Sequence, residues 1–245
     1  MKEGAFWRGS AFRVIAAGGV LITAAAIVLC TPWFGLVDLR EVVITGNRHA
    51  AAAELVSLSG LQRGQSLLTT SLRRVSANLS QHPWVKSVSL QRRLPHTLFI
   101  VIRERDEVAW MSDPSSDGCL TIGEGGIVVT SDCERSSPLI ELLGARLSEN
   151  RVGASLVDGT VVELIDRVRG GELASLGVER IDLTDPSSVE LATGSGARVL
   201  LGGIADVSSR LDSLAALCRS LDIEDYGVID LRFGGEATLV PRVRR

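Results

Sequence analysis

Between Arg13 and Asp38 the chain carries no charge: Val14 to Val37 reads VIAAGGVLITAAAIVLCTPWFGLV, 24 residues. At 1.5 Å per helical residue, roughly 20 apolar residues cross the hydrocarbon core of a bilayer. Lys2, Arg8 and Arg13 precede the run and Asp38 follows it. By the positive-inside rule, that asymmetry keeps the N-terminus in the cytoplasm and sends the rest across. Three fates compete: an anchor that stays, an export signal that is removed, and a buried helix of a soluble protein. A removable signal has an apolar region of roughly 7–15 residues ending at a small-x-small site. Here Ala24–Ala26 comes too early, with Ile27 to Cys30 continuing after it, and Leu29 is bulky where a lipoprotein signal takes a small residue. The reading is a cytoplasmic tail at 1–13 and a single transmembrane helix at 14–37, type II, with the bulk of the chain outside the cytoplasm. A signal peptide is the alternative.

Charge then divides the remainder. Residues 38–105 hold ten basic and four acidic side chains, whereas 106–245 hold thirteen basic and twenty-four acidic. Such a split predicts two extracytoplasmic units with different surfaces, 38–106 and 107–245. The basic residues Arg73, Arg74, Lys86, Arg92, Arg93, Arg103 and Arg105 lack the interleaved aromatics that stack on bases. They read as a solvated face, or as an attraction for anionic headgroups or an acidic partner. No nucleic-acid partner is expected.

In the first unit, LREVVITGNRH reads as a strand with Val42 and Ile44 on one face, ended by Gly46-Asn47. AAAELVSLSGL reads as a helix closed by Gly60. A second helix follows from the spacing of Leu72, Val75 and Leu79, stopped before Pro83. Two strands complete the unit, one with Val88 and Leu90 on a face and one with Leu98, Ile100 and Ile102 inward. A three-stranded sheet with two helices on one face has open edges, and an open edge invites an added strand.

The second unit reads as β-rich. It starts with a short strand at Val108 to Asp113, after Glu107 as linker. A hairpin follows, with Gly123 to Gly126 as its turn. A helix carries Val161, Leu164, Ile165 and Val168. Three strands come next, then an amphipathic helix with Val207, Leu211, Leu214 and Cys218 on one side. YGVIDLRFGGEATLVPR closes the chain as strand, Gly-Gly break and strand. The class is α+β, with a mixed or antiparallel sheet. Cys119 and Cys133 flank the hairpin; paired strands would let their sulfurs meet as a disulfide in an oxidising compartment, and otherwise they are two small reduced hydrophobes. Cys218 reads as a core thiol.

Chemistry is hard to find. His49, His82 and His96 sit at turns or element ends, where a lone imidazole is usually solvated. GEGG is not followed by the helix and Lys-Ser/Thr of a phosphate cradle. Asp230 and Arg232 alternate with Ile229, Leu231 and Phe233, so they share one strand face and fix the end of the sheet. No catalytic group, metal site, cofactor or small-molecule substrate is expected.

VVITGN, LSGLQRGQSLL and above all HPWVKSVSLQRRLPHTLFI (His82 to Ile100) resemble a POTRA domain, of the kind found in the FtsQ/DivIB cell-division proteins. YGVIDLRFGGEATL (Tyr226 to Leu239) resembles the end of the second domain of the same family. The resemblance implies a POTRA domain of β-α-α-β-β order. It also implies a non-enzymatic divisome scaffold in the cell inner membrane, active at the septum. Its partners would be single-pass proteins of the FtsB/DivIC and FtsL type. It further implies that the segment after DLR lines the partner contact, which designates Phe233, Gly234, Gly235, Glu236 and Ala237. The expected platform is a paired strand from Asp230 to Leu239 beside a helix from Ile204 to Leu221. A POTRA-bearing export or outer-membrane assembly module is the alternative, and it would need tandem POTRA repeats or a following barrel.

Overall fold

The computed structural model describes residues 37–133, 138–221, 223–233 and 236–242. The anchor expected at 14–37 falls outside the described residues except for Val37. Among the described residues, no helix is long and apolar enough to cross a membrane.

The first unit contains β1 (Glu41–Thr45), α1 (Ala52–Ser59), α2 (Leu72–Leu79), β2 (Val85–Arg93) and β3 (Thr97–Glu104). The sheet order is β1-β3-β2, with β1 parallel and β2 antiparallel to β3. Gly60 closes α1 in the left-handed conformation, and the Ser71 side chain accepts from the Arg74 N–H to start α2. Central β3 supplies Leu98, Ile100 and Ile102 to the core, where they meet Leu55, Val75 and Leu79 of the helices. The Glu104 carboxylate, at the end of β3, accepts from the N–H groups of Arg48, His49 and Ala50. Burial opposes its charged form, but these backbone donors outweigh it and hold the carboxyl below its usual range.

The second unit is one nine-stranded sheet in the order β12-β11-β10-β9-β8-β7-β4-β5-β6. Its strands are β4 (Glu107–Ser112), β5 (Cys119–Gly123), β6 (Ile127–Thr130), β7 (Ile140–Leu143), β8 (Val178–Asp182), β9 (Val189–Thr193), β10 (Arg198–Gly202), β11 (Tyr226–Asp230) and β12 (Thr238–Pro241). Glu107, expected in a linker, instead begins β4 and pairs with Gly123. β7 and β8 are parallel and joined through α3 (Gly159–Arg169); β10 and β11 are parallel and joined through α4 (Val207–Ser220). Parallel neighbours require such crossovers. Val161, Leu164, Ile165 and Val168 of α3 and Val207, Leu211 and Leu214 of α4 are buried in the same core as Ile181, Leu191 and Val199 of the sheet. Side chains between these buried positions carry ion pairs across strands, Glu141 with Arg180 and Glu190 with Arg198.

The two cores share no residue. The junction between them is polar. Arg105 donates from Nε to the Pro83 carbonyl (3.1 Å) and from Nη1 to the Glu124 carbonyl (2.8 Å). The Glu124 carboxylate accepts from Lys86 Nζ at 2.6 Å, the main reason its carboxyl lies below the ordinary range.

Candidate functional site

An exposed edge is the scarce resource in a large sheet, and this one has two ends with different treatments. At the β6 end, the segment around Ala154 covers the backbone. Val128 N donates to Ala154 O (2.8 Å), Gly153 N to Val128 O (2.8 Å) and Leu156 N to Gly126 O (2.9 Å). At the other end β12 pairs only with β11 among the described residues. Arg242 N donates inward to Asp225 O at 2.8 Å. In an antiparallel ladder the bonding direction alternates along a strand. Leu239 and, one step before the strand, Ala237 therefore aim their backbone groups away from β11.

The expected paired strand from Asp230 to Leu239 is corrected on this point. Pairing stops at Asp230 and resumes at Thr238, with the intervening turn between. Asp230 and Arg232 form the anticipated local pair, with Nη2 to Oδ2 at 2.7 Å and Nε to Oδ1 at 3.0 Å. That guanidinium holds the Asp230 carboxyl below its usual range. The pair lies next to Leu231, which is buried, so it anchors the turn at the strand's exit.

Between this turn and α4 runs a groove of about 360 Å³. Ser213, Ala216 and Leu217 of α4 form one wall; Phe233, Glu236 and Ala237 form the other. Small residues on α4 leave the space open. Phe233 is 68% exposed and Val240, on β12, is 49% exposed, so neither contributes much to the core. Thus Phe233, Glu236 and Ala237 of the designated segment come together at one groove, while Gly234 and Gly235 lie outside the described residues.

Sequence reasoning missed Arg210, which lines the same groove. Its side chain is mostly buried, its Nη2 is 3.9 Å from Asp206, and its Nη1 is buried with no hydrogen-bond partner among the described residues. A signal existed: Arg210 sits three residues after Val207 and four before Leu214, on the helix's apolar side.

Other expectations shift. His82 is 8% exposed rather than solvated; its Nδ1 accepts from Trp84 N–H at 3.3 Å because the turn folds over it. His49 lies against Trp84 with ring centroids 4.1 Å apart. Cys218 is half-buried: it packs against the core of the second unit and also borders a surface hollow. Three of the basic residues have partners within the protein: Arg92 binds the Leu67 and Thr70 carbonyls, and Lys86 and Arg105 bond at the junction. Cys119 and Cys133 have Cα atoms 5.9 Å apart with their sulfurs in contact, within the span of a disulfide. Among the described residues no group of His, Cys, Asp and Glu could hold a metal ion. The β-α-α-β-β unit occurs once among them, without the tandem copies an assembly module would need.

Comparison with known proteins adds the following. Residues 37–105 match the family model "POTRA domain, FtsQ-type", and residues 119–232 match "Cell division protein FtsQ/DivIB, C-terminal". The chain is 23% identical to the cell division protein DivIB of Clostridium acetobutylicum over 85% of this chain and 84% of that one. It is 27% identical to the cell division protein FtsQ of a Geobacter species, over 81% of this chain and 74% of that one. It is 32% identical to DivIB of Geobacillus kaustophilus, over 35% of this chain and 34% of that one.

Proposed function

The chain belongs to the FtsQ/DivIB family of cell-division proteins, and we propose that within the division machinery it is a non-enzymatic scaffold that captures other division proteins by strand addition at β12. In this reading the run at 14–37 anchors the chain once in the inner membrane, and the POTRA domain (38–106) and β domain (107–245) work outside the cytoplasm at the septum. The partners are single-pass division proteins of the FtsB/DivIC and FtsL type.

The observation that carries the proposal is the open backbone of β12 beside an apolar groove. An incoming strand would bond to the outward groups near Ala237 and Leu239, giving affinity through main chain. Its side chains would reach Phe233 and the wall of α4, giving specificity.

Ala237→Pro tests it. Proline removes one outward N–H without touching the β11–β12 bonds. Recovery of the FtsB-type partner on the immobilised full chain should fall at least roughly tenfold, the loss of a well-made bond plus the strand's local fit. Undiminished recovery rejects the β12 platform.

The Cys119–Cys133 pairing belongs to the same reading, because a disulfide persists outside the cytoplasm. Protein purified from membranes without reductant should resist thiol alkylation at both positions until reduced. Immediate labelling of both would place the pair in the reduced state.

A further inference from the structure

The two ends of the POTRA sheet differ in kind. At one end, Val85 of β2 and Glu104 of β3 lead into the junction with the β domain. The other end lies at the far side of β3, whose eight residues span roughly 26 Å at 3.3 Å each. There the described chain begins at Val37, the last residue of the uncharged run. Two loops are bonded to the arriving segment. From the first, Leu67 N donates to Val37 O (2.9 Å), and Leu39 N donates to Gln65 O (2.8 Å). From the second, the His96 carbonyl accepts from Arg40 N (2.9 Å), and the His96 ring lies 2.8 Å from the Asp38 carboxylate. Arg92 ties the loops together by donating to the Leu67 and Thr70 carbonyls, each at 2.7 Å.

Each loop leaves one leucine outside. Leu67 is fully buried, but its neighbour Leu68 is 53% exposed, and Leu94 is 59% exposed. Around them the charge is one-sided. Segments 37–41, 61–70 and 91–97 hold Arg40, Arg63, Arg92 and Arg93 against Asp38 and Glu41, a net excess of basic groups. Asp38 is already engaged by Arg40 Nε at 3.1 Å. Exposed leucines on segments with a net excess of arginine match a bilayer surface, where apolar tips enter the acyl boundary and basic groups meet anionic phosphates.

We propose that this end of the POTRA domain docks on the surface of the membrane that holds the chain, with Leu68 and Leu94 in the interface and Arg63 and Arg93 on anionic headgroups. The proposal rests on the reading of 14–37 as an anchor. The tether ends at this apex, so the surface is held against the lipid at high effective concentration, and the docked domain would set the direction in which the β domain and its open edge project.

The test uses the full chain reconstituted in vesicles of phosphatidylglycerol and phosphatidylcholine, with a benzophenone side chain in place of Leu68, Leu94 or, as a control, Val157, which is 58% exposed on the β domain. On irradiation, positions 68 and 94 should yield at least about tenfold more lipid adduct than position 157, and removing phosphatidylglycerol should lower that yield severalfold. Equal yields at the three positions, or adducts at 68 and 94 that are protein rather than lipid, would overturn the docking. Alkaline extraction of the same vesicles separates the two readings. A chain that stays in the bilayer without lipid adducts defeats the docking alone; a chain that is released defeats the anchor and the docking with it.

Discussion

Replacing Phe233 by Ala is expected to leave the unfolding temperature unchanged while weakening partner binding by roughly thirtyfold or more, the effect of losing about 2 kcal/mol at an aromatic hot spot. The two halves of this expectation have separate physical origins. Phe233 is 68% exposed, and the Arg232 guanidinium lies 5.6 Å from its ring centroid. A side chain so little buried adds little to folding. In a strand-addition complex the same ring would be covered between α4 and the incoming chain and lose most of its water-exposed surface. Measured by titrating the FtsB-type partner against the full chain, Phe233→Ala should raise Kd while Val157→Ala leaves it unchanged. Equal affinity in the two variants would remove Phe233 from the interface. A fall in unfolding temperature for Phe233→Ala would show that the ring supports the turn instead.

Gly46→Ala has the largest expected effect on stability. Gly46 ends β1 at φ +85°, and a Cβ there would lie 2.0 Å from the Ile102 carbonyl oxygen. Left-handed backbone costs a residue with a Cβ about 1–2 kcal/mol, and forcing packed backbone apart costs about 1–3 kcal/mol more. For a domain of this size, about 3 kcal/mol should lower the POTRA transition by more than about 10 °C. Gly64 separates the two contributions. It has the same φ of +85° with nothing near the added carbon, so Gly64→Ala should cost only the strain. Because the POTRA and β-domain cores share no residue, calorimetry of the full chain should show the β-domain transition in place under both substitutions. Matching shifts for the two variants would mean that the close approach to Ile102 carries no weight.

Much of the fold was legible where one residue's environment is set by its near neighbours. The period-2 burial of Leu98, Ile100 and Ile102 and the 3.6-period burial of Val161, Leu164, Ile165 and Val168 follow from strand and helix geometry alone. So do the stop at Gly60 and the turn at Gly46. The candidate groove was half legible: Phe233, Glu236 and Ala237, which line it, were designated through a family pattern, but Arg210 was not, since it becomes notable only when α4 packs beside the turn and leaves its Nη1 without a partner among the described residues. His82 shows the same limit, a polar residue at a turn that the turn itself then buries.

The sequence by itself determined the uncharged run at 14–37, the division of charge into two units, the order of strands and helices in the first unit, most of that order in the second, where β7 went unread, and many of the residues that face inward, because each depends on chain-local spacing. Only the tertiary structure decided which strands are neighbours, that β6 is sealed by the segment near Ala154 while β12 has no second partner strand among the described residues, and that the segment from Val37 to Arg40 is bonded to the loops at Leu67 and His96. Those facts depend on hydrogen bonds between residues far apart in the chain, and a local pattern of apolar and polar side chains carries no record of which distant backbone will answer it.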